Sequence, residues 1–266
     1  MTSWKGENFL RSHNPAIEAI TSEERRMILD ALLTQSPLTE GALVEFLATS
    51  EKERESDSPT REALQIDLFH TNLPTLKATD LIAWDQSKET VETTNHPALT
   101  DPRFSKILKL DSDGLNTALR GISHEYRRIA LTILRDKHEP ISRDTLAREI
   151  AQRCETQTVP ETAMIEEVAI SLHHTHFPKL CEMNLITYDA DTERASYTAN
   201  QTLEEVFKII YDPDQSIVDK YEGFLRGLQE TYPQPGQDRR TQLSGLSGGI
   251  PLWLILQVFG RLSSQI

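Results

Sequence analysis

The chain lacks the features that would assign it to several common classes of protein. Its 266 residues include only two cysteines, Cys154 and Cys181, so no disulfide framework is expected. It contains no Gly-rich phosphate loop, no nucleophile elbow and no His-Glu-x-x-His motif. No Cys/His spacing typical of zinc accompanies its histidines. The sequence therefore predicts neither an enzyme nor a metal or cofactor site.

Long apolar runs and positive charge are also scarce. The longest strongly apolar run, residues 250–259, is shorter than the roughly 20 residues of a membrane-spanning helix. The first residues, MTSWKGEN, do not show the basic and apolar stretches of a secretion signal. These features favour a cytoplasmic protein. The chain has 28 basic and 41 acidic residues. An acidic surface of this kind repels nucleic acid on average. Its acidic composition is explained equally well by the need for solubility in a salt-rich cytoplasm.

The chain does contain an internal repeat. Residues 20–29 read ITSEERRMIL and residues 122–131 read ISHEYRRIAL. Further on, HTNLPTL at 70–76 is answered by HTHFPKL at 174–180. The two copies are separated by 102 residues at Arg25 and Arg127, and LIAWD and LITYD repeat in the same order. A duplicated domain is therefore expected, and each copy can be compared with the other.

Each copy predicts three helices followed by a β-hairpin. The first helix is expected over residues 22–33 and again over 123–137, with Ser22 and Ser123 as N-caps. Paired arginines follow each cap, and we expect them to be structural, with one facing solvent and paired to a nearby glutamate. Thr39 and Ser142 are expected to cap the second helices of the two copies.

The third helix of each copy contains an internal proline, Pro74 or Pro178. A proline inside a helix removes a backbone hydrogen bond, so a kink or restart is expected there. His70 and His174 occupy equivalent positions just before the prolines. They are more simply explained by capping of the kink than by metal binding.

Three helices and a hairpin are the layout of a winged helix, and the sequence resembles a known family at this point. Residues 176–186, HFPKLCEMNLI, resemble the end of the recognition helix in ArsR-like transcription regulators. The segments around Arg25 and Arg127 resemble the first helix of those proteins. The chain is similar to a group of haloarchaeal proteins that carry this domain in tandem, over about residues 15–95 and 117–199.

The expected fold is mainly α with small β-hairpins, an α+β class, with tandem winged-helix domains and a C-terminal helical segment. The predicted organisation is a tail (1–14), a first winged-helix domain (15–96), a linker (97–116), a second winged-helix domain (117–200), a helical segment (201–230), a flexible linker (231–249) and an apolar C-terminal helix (250–266).

The resemblance implies a DNA-binding transcriptional regulator, because the third helix of such domains enters the major groove and the wing touches the backbone. The second copy is the better candidate reader, since residues 101–200 hold 13 basic and 16 acidic side chains against nine and 17 in residues 1–100. The predicted contacts to double-stranded DNA lie on the second helix, the third helix and the wing of this copy. They are Arg143, Arg148, Ser171, His173, His174, Thr175, Lys179 and Arg194.

Two further interpretations concern protein partners. The first copy carries Glu62 and Asp67 on its third helix, so an alternative is an interaction adaptor that has the winged-helix shape and binds no DNA. The apolar C-terminal helix predicts a homodimer through Leu252, Trp253, Leu256 and Phe259. Docking on a membrane surface is less favoured, because that segment has a single basic residue.

Overall fold

The computed structural model describes residues 8–52, 60–154 and 160–211. Within these residues, none of the helices combines the length and the apolar character needed to cross a membrane. Residues 212–230 of the expected helical segment, the linker 231–249 and the apolar segment 250–266 lie outside the described residues.

The first copy begins with a short helix, which is followed by four helices, one π turn and three strands. Its elements are α1 (Asn14–Ala19), α2 (Glu23–Thr34), β1 (Leu38–Thr39), α3 (Glu40–Lys52), α4 (Arg61–Asp67), a π turn (Leu68–Asn72), α5 (Leu73–Ala78), β2 (Ile82–Asp85) and β3 (Thr90–Thr93).

The second copy repeats this order after two intervening helices, and one more helix follows it. The elements are α6 (Pro97–Thr100), α7 (Pro102–Leu108), α8 (Leu115–Ile122), α9 (Glu125–Lys137), β4 (Ile141–Ser142), α10 (Arg143–Cys154), α11 (Thr162–Ser171), a π turn (Leu172–His176), α12 (Phe177–Glu182), β5 (Ile186–Asp189), β6 (Arg194–Tyr197) and α13 (Gln201–Tyr211).

Each copy has the strand arrangement of a winged helix. The strand between the first two helices pairs with the last strand of the hairpin, which gives the orders β1-β3-β2 and β4-β6-β5. All pairings are antiparallel, with Ile82 opposite Thr93 and Ile186 opposite Tyr197. The mainly helical α+β class with two repeated winged-helix units is thus confirmed.

Short polar side chains start the helices much as the sequence predicts. The amide of Ala42 donates to Thr39 Oγ1 at 3.2 Å, and the amide of Thr145 donates to Ser142 Oγ at 3.3 Å. Both N-caps are confirmed. The cap of α9 is different, because its N-cap residue is His124 rather than the expected Ser123.

The segment between the two copies contributes to the core. Residues 97–116, expected to be a linker, form α6, α7 and the start of α8, and Phe104 and Ile107 of α7 are fully buried. At the beginning of the chain, residues 8–12 are helical and bury Phe9 and Leu10. Buried residues from both copies form one hydrophobic cluster. The copies are therefore packed against each other rather than being independent domains joined by a linker.

Two buried arginines join the copies through reciprocal hydrogen bonds. Arg26 Nη1 donates to Asn116 Oδ1 of the second copy at 2.7 Å. Arg128 Nη1 donates to Asn14 Oδ1 of the first copy at 2.8 Å. The two arginines are equivalent residues, 102 positions apart in the chain, and so are the two asparagines. A contact that recurs with the roles of the copies exchanged is the mark of an approximate two-fold relation.

The same arginines also close the end of the preceding helix in their own copy. Arg26 donates to the Ile20 carbonyl at 2.9 Å, and Arg128 donates to the Ile122 carbonyl at 3.0 Å. Helix ends leave carbonyls without intrahelical partners, and a cation there also suits the helix dipole. The arginines have a structural role, as expected. The hydrogen bonds described above run to carbonyls and asparagines, where pairing with a glutamate was expected. Arg127 is buried as well, so neither arginine of the second pair faces solvent.

Candidate nucleic-acid interface

The third helix of each copy is interrupted by a π turn shortly before its proline. It consists of α4, the π turn and α5 in the first copy, and of α11, the π turn and α12 in the second. In the second copy the amide of Phe177 donates to the carbonyl of Leu172, five residues earlier, and Pro178 follows. In the first copy the amide of Leu73 bonds the carbonyl of Leu68 in the same way. A widened turn accommodates the proline ring, which would meet a carbonyl in a regular helix. The expected kink is therefore a π turn within a continuing helix.

His176 lies inside this turn and is only 3% exposed. Its Nε2 is 3.0 Å from Ser171 Oγ, and its ring centroid is 4.3 Å from that of His124. Within the described part of the chain, its Nδ1 is buried without a hydrogen-bond partner. Burial, followed by the nearby His124, Arg127 and Lys179, lowers the pKa of His176 to about 4. The neutral imidazole is thus part of the packing between the third helix and the first helix.

Two of the predicted DNA contacts point toward the protein. Ser171 bonds His176, as described above. His173 Nδ1 is 3.1 Å from the hydroxyl of Tyr188 on β5. Both side chains are half-buried. The Ser171 contact lies within the third helix, whereas the His173 contact connects this helix to the wing.

Three other predicted contacts stand on the outer surface of this helix. His174, Thr175 and Lys179 are exposed. His174 and its equivalent His70 were expected to cap the proline kink, but both lie at the surface. The ring of His174 also packs edge-on against that of His173, with the ring centroids 4.7 Å apart.

The predicted arginines separate into two groups. Arg143 is held by carboxylates, with Nη2 3.0 Å from Asp144 and Nη1 2.7 Å from Glu193 in the wing turn. It therefore ties the start of α10 to the wing. Arg148 on α10 and Arg194 on β6 are exposed.

An exposed isoleucine on each third helix is absent from the sequence prediction. Ile170 is 62% exposed, and its equivalent Ile66 is 58% exposed. Each lies four residues, about one helical turn, before the exposed histidine. The position of Ile170 in the sequence indicates this exposure, because it falls outside the apolar stripe of the third helix that ends at Leu172. Single exposed apolar side chains are common on protein surfaces, so the informative point is that both copies expose an isoleucine at the equivalent position.

Comparison with known families gives one result. Residues 17–92 and 120–196 each match the model described as Domain of unknown function (DUF7344), and together they cover more than half of the chain. The chain belongs to the DUF7344 family. No curated protein and no solved structure matches it. The relation to haloarchaeal ArsR-like proteins stays a prediction.

Each DUF7344 repeat corresponds to one winged helix, and both have acidic side chains beside the third helix. In the second repeat Glu166, Glu167 and Glu182 are exposed on the same helix as Lys179. In the first repeat Glu62 and Asp67 are exposed. The face in front of each third helix is therefore mixed in charge rather than basic.

Two points remain, metal binding and the residues predicted for oligomerisation. Across the described ranges, His, Cys, Asp and Glu form no group of three or more suited to hold a metal ion. The residues predicted for oligomerisation, Leu252, Trp253, Leu256 and Phe259, lie outside the described residues.

Proposed function

We propose that this DUF7344 protein binds double-stranded DNA and regulates transcription, with the second repeat as a reader. The observation that carries the proposal is the exposed strip His174, Thr175 and Lys179 on the third helix of a winged-helix unit. In this layout the third helix enters the major groove. Arg148 on the second helix and Arg194 in the wing are exposed, and they are the side chains that would contact phosphates.

The acidic surface sets the conditions for this function. At about 1 M salt the Debye length is about 3 Å, so a net charge of −13 is screened beyond immediate contact. Salt also weakens phosphate contacts through counterion release. Histidine, threonine and isoleucine side chains bind base edges through hydrogen bonds and apolar contact. Counterion release does not weaken these contacts directly. The exposed strip thus suits recognition in a salt-rich cytoplasm, which the acidic composition also favours.

Removal of the three exposed cations should weaken DNA binding strongly. The variant Arg148→Ala/Lys179→Ala/Arg194→Ala is expected to lose about 100-fold in affinity, if each contact contributes about 1 kcal/mol. The slope of log K against log salt should become shallower by about two to three. Fluorescence anisotropy with a duplex selected from a random library, across a salt series, measures both quantities.

The matched control for this experiment is Lys109→Ala/Lys208→Ala, which removes exposed charges outside the two winged-helix units. It should bind like the original protein. Circular dichroism at each salt concentration confirms that every variant is folded. The proposal fails if the folded protein enriches no duplex at any salt concentration.

A second candidate function is a protein-interaction adaptor, and the exposed Ile66 and Ile170 beside acidic residues favour it. Apolar anchors rimmed by charge are typical of protein contacts. Co-purification from native cells separates the two functions. A stable protein partner that is lost in Ile66→Ser/Ile170→Ser, with no enriched DNA, supports the adaptor.

A further inference from the structure

The two DUF7344 repeats follow one another directly in the chain, but their contacts show a two-fold relation. If the second repeat were a simple translation of the first, the bond from Arg26 to Asn116 would not be accompanied by one from Arg128 to Asn14. Both bonds are present, at 2.7 and 2.8 Å. A surface of one repeat that faces along the two-fold axis is therefore matched by the same surface of the other.

The outer faces of the two third helices carry the same key residues. Ile66, His70 and Thr71 of the first repeat are exposed, as are their equivalents Ile170, His174 and Thr175. The proline of the π-turn motif is also shared, as Pro74 and Pro178, although the two residues before it differ between the copies. Core packing does not require a common exposed isoleucine, histidine and threonine. Neighbouring positions such as Asp67 and Ser171 differ between the copies, so the shared exposed residues are the ones that a common ligand would contact.

We propose that one chain reads an inverted repeat in duplex DNA, with the two third helices on like half-sites. This inference rests on the DNA binding proposed above and extends it to the first repeat. A two-fold protein matches a DNA site whose halves are inverted, whereas translated domains read direct repeats. The isoleucine side chain suits the C5-methyl group of thymine in the major groove.

The two half-sites contribute unequally, because the surrounding charges differ. The second repeat has Arg148 and Lys179 where the first has Glu45 and Thr75. Glu45 forms an ion pair with Arg61. The second repeat therefore gains phosphate contacts that the first lacks, and its half-site is the stronger one.

Selection of DNA from a random-sequence duplex library with the full-length chain tests the inference. We expect enriched sequences that contain one short motif twice, in opposite orientations and at a fixed spacing. A single motif, or two motifs in the same orientation, overturns the inverted-repeat reading and leaves DNA binding in place. Failure to enrich any duplex, with protein partners captured instead, overturns the proposed function as well.

Substitution of the exposed isoleucines assigns each repeat to its half-site. Ile66→Ala and Ile170→Ala are each expected to weaken binding of the full site by about fivefold, as the loss of one apolar contact implies. When one half-site is scrambled, the variant of the matching repeat should cause no further loss, while the other should still do so.

The control for these substitutions is Leu33→Ala, which shortens an exposed apolar side chain on α2. It should bind both the full and the scrambled sites like the original protein. The proposal is contradicted if Ile66→Ala leaves affinity and sequence preference unchanged. That result would restrict reading to the second repeat.

Discussion

Replacement of Arg128 by alanine is expected to lower the free energy of unfolding by about 3 kcal/mol or more. Arg128 is 4% exposed, and its guanidinium donates both to the Ile122 carbonyl and to Asn14 of the other repeat. A hydrogen bond to a charged group contributes about 1.5 to 3 kcal/mol, and its loss leaves a buried acceptor unsatisfied. The side chain also occupies volume in the core, so its removal leaves a cavity.

Urea denaturation measures this loss, and a double-mutant cycle isolates the contact between the repeats. Arg128→Ala and Asn14→Ala should show a coupling energy of about 1 to 2 kcal/mol, and so should Arg26→Ala and Asn116→Ala. Similar values for both pairs are expected from the two-fold relation. The control Arg148→Ala removes an exposed arginine and should change stability by less than about 0.5 kcal/mol.

Absence of coupling in both cycles would contradict the reciprocal interface. Coupling in only one pair would show that the two repeats are not related by the two-fold relation. Because one hydrophobic cluster includes residues of both repeats, a single cooperative unfolding transition is expected in every case. A separate transition for each repeat would also argue against this packing.

Acidification is expected to destabilise the protein through His176 before its ordinary carboxylates are protonated. The pKa of His176 is lowered to about 4 by burial and by neighbouring positive charge, while an unfolded histidine has a pKa of about 6.5. As pH falls below about 6.5, the unfolded chain takes up this proton and the folded one does not. The free energy of unfolding therefore decreases between about pH 6.5 and 4, by up to about 3 kcal/mol from this group.

The first repeat supplies the matched variant, since Asn72 occupies the position of His176 and is also buried. His176→Asn should flatten the dependence of unfolding free energy on pH in this window. Burial also lowers the pKa of His124 and of His96, so part of the slope should persist in His176→Asn. It should decrease further when His124→Ser is added, which introduces the residue found at the equivalent position 22. The control His174→Asn changes an exposed imidazole on the same helix. Parallel curves for the original protein and His176→Asn would contradict the assignment.

The sequence predicted most of each repeat, because the signals that define it are local. Helical spacing, the caps Thr39 and Ser142, and the β-prone run before each hairpin depend on neighbours a few residues away. The internal comparison strengthened them, since two copies with different surfaces preserved the same order. The direction of the third-helix side chains was less predictable. A π turn adds one residue, which rotates the following positions by about 100 degrees relative to a regular helix, and it places Ser171 against His176.

The sequence by itself determined that two winged-helix units exist and where their elements lie, since this information is carried by periodicity and by repetition at 102 residues. Only the tertiary structure decided how the units meet. Repetition states that Arg26 and Arg128 are equivalent, but it does not say that each bonds an asparagine of the other copy. That relation depends on contacts about 90 to 114 residues apart, which no local pattern encodes, and it turns a direct repeat in sequence into a two-fold pair in space.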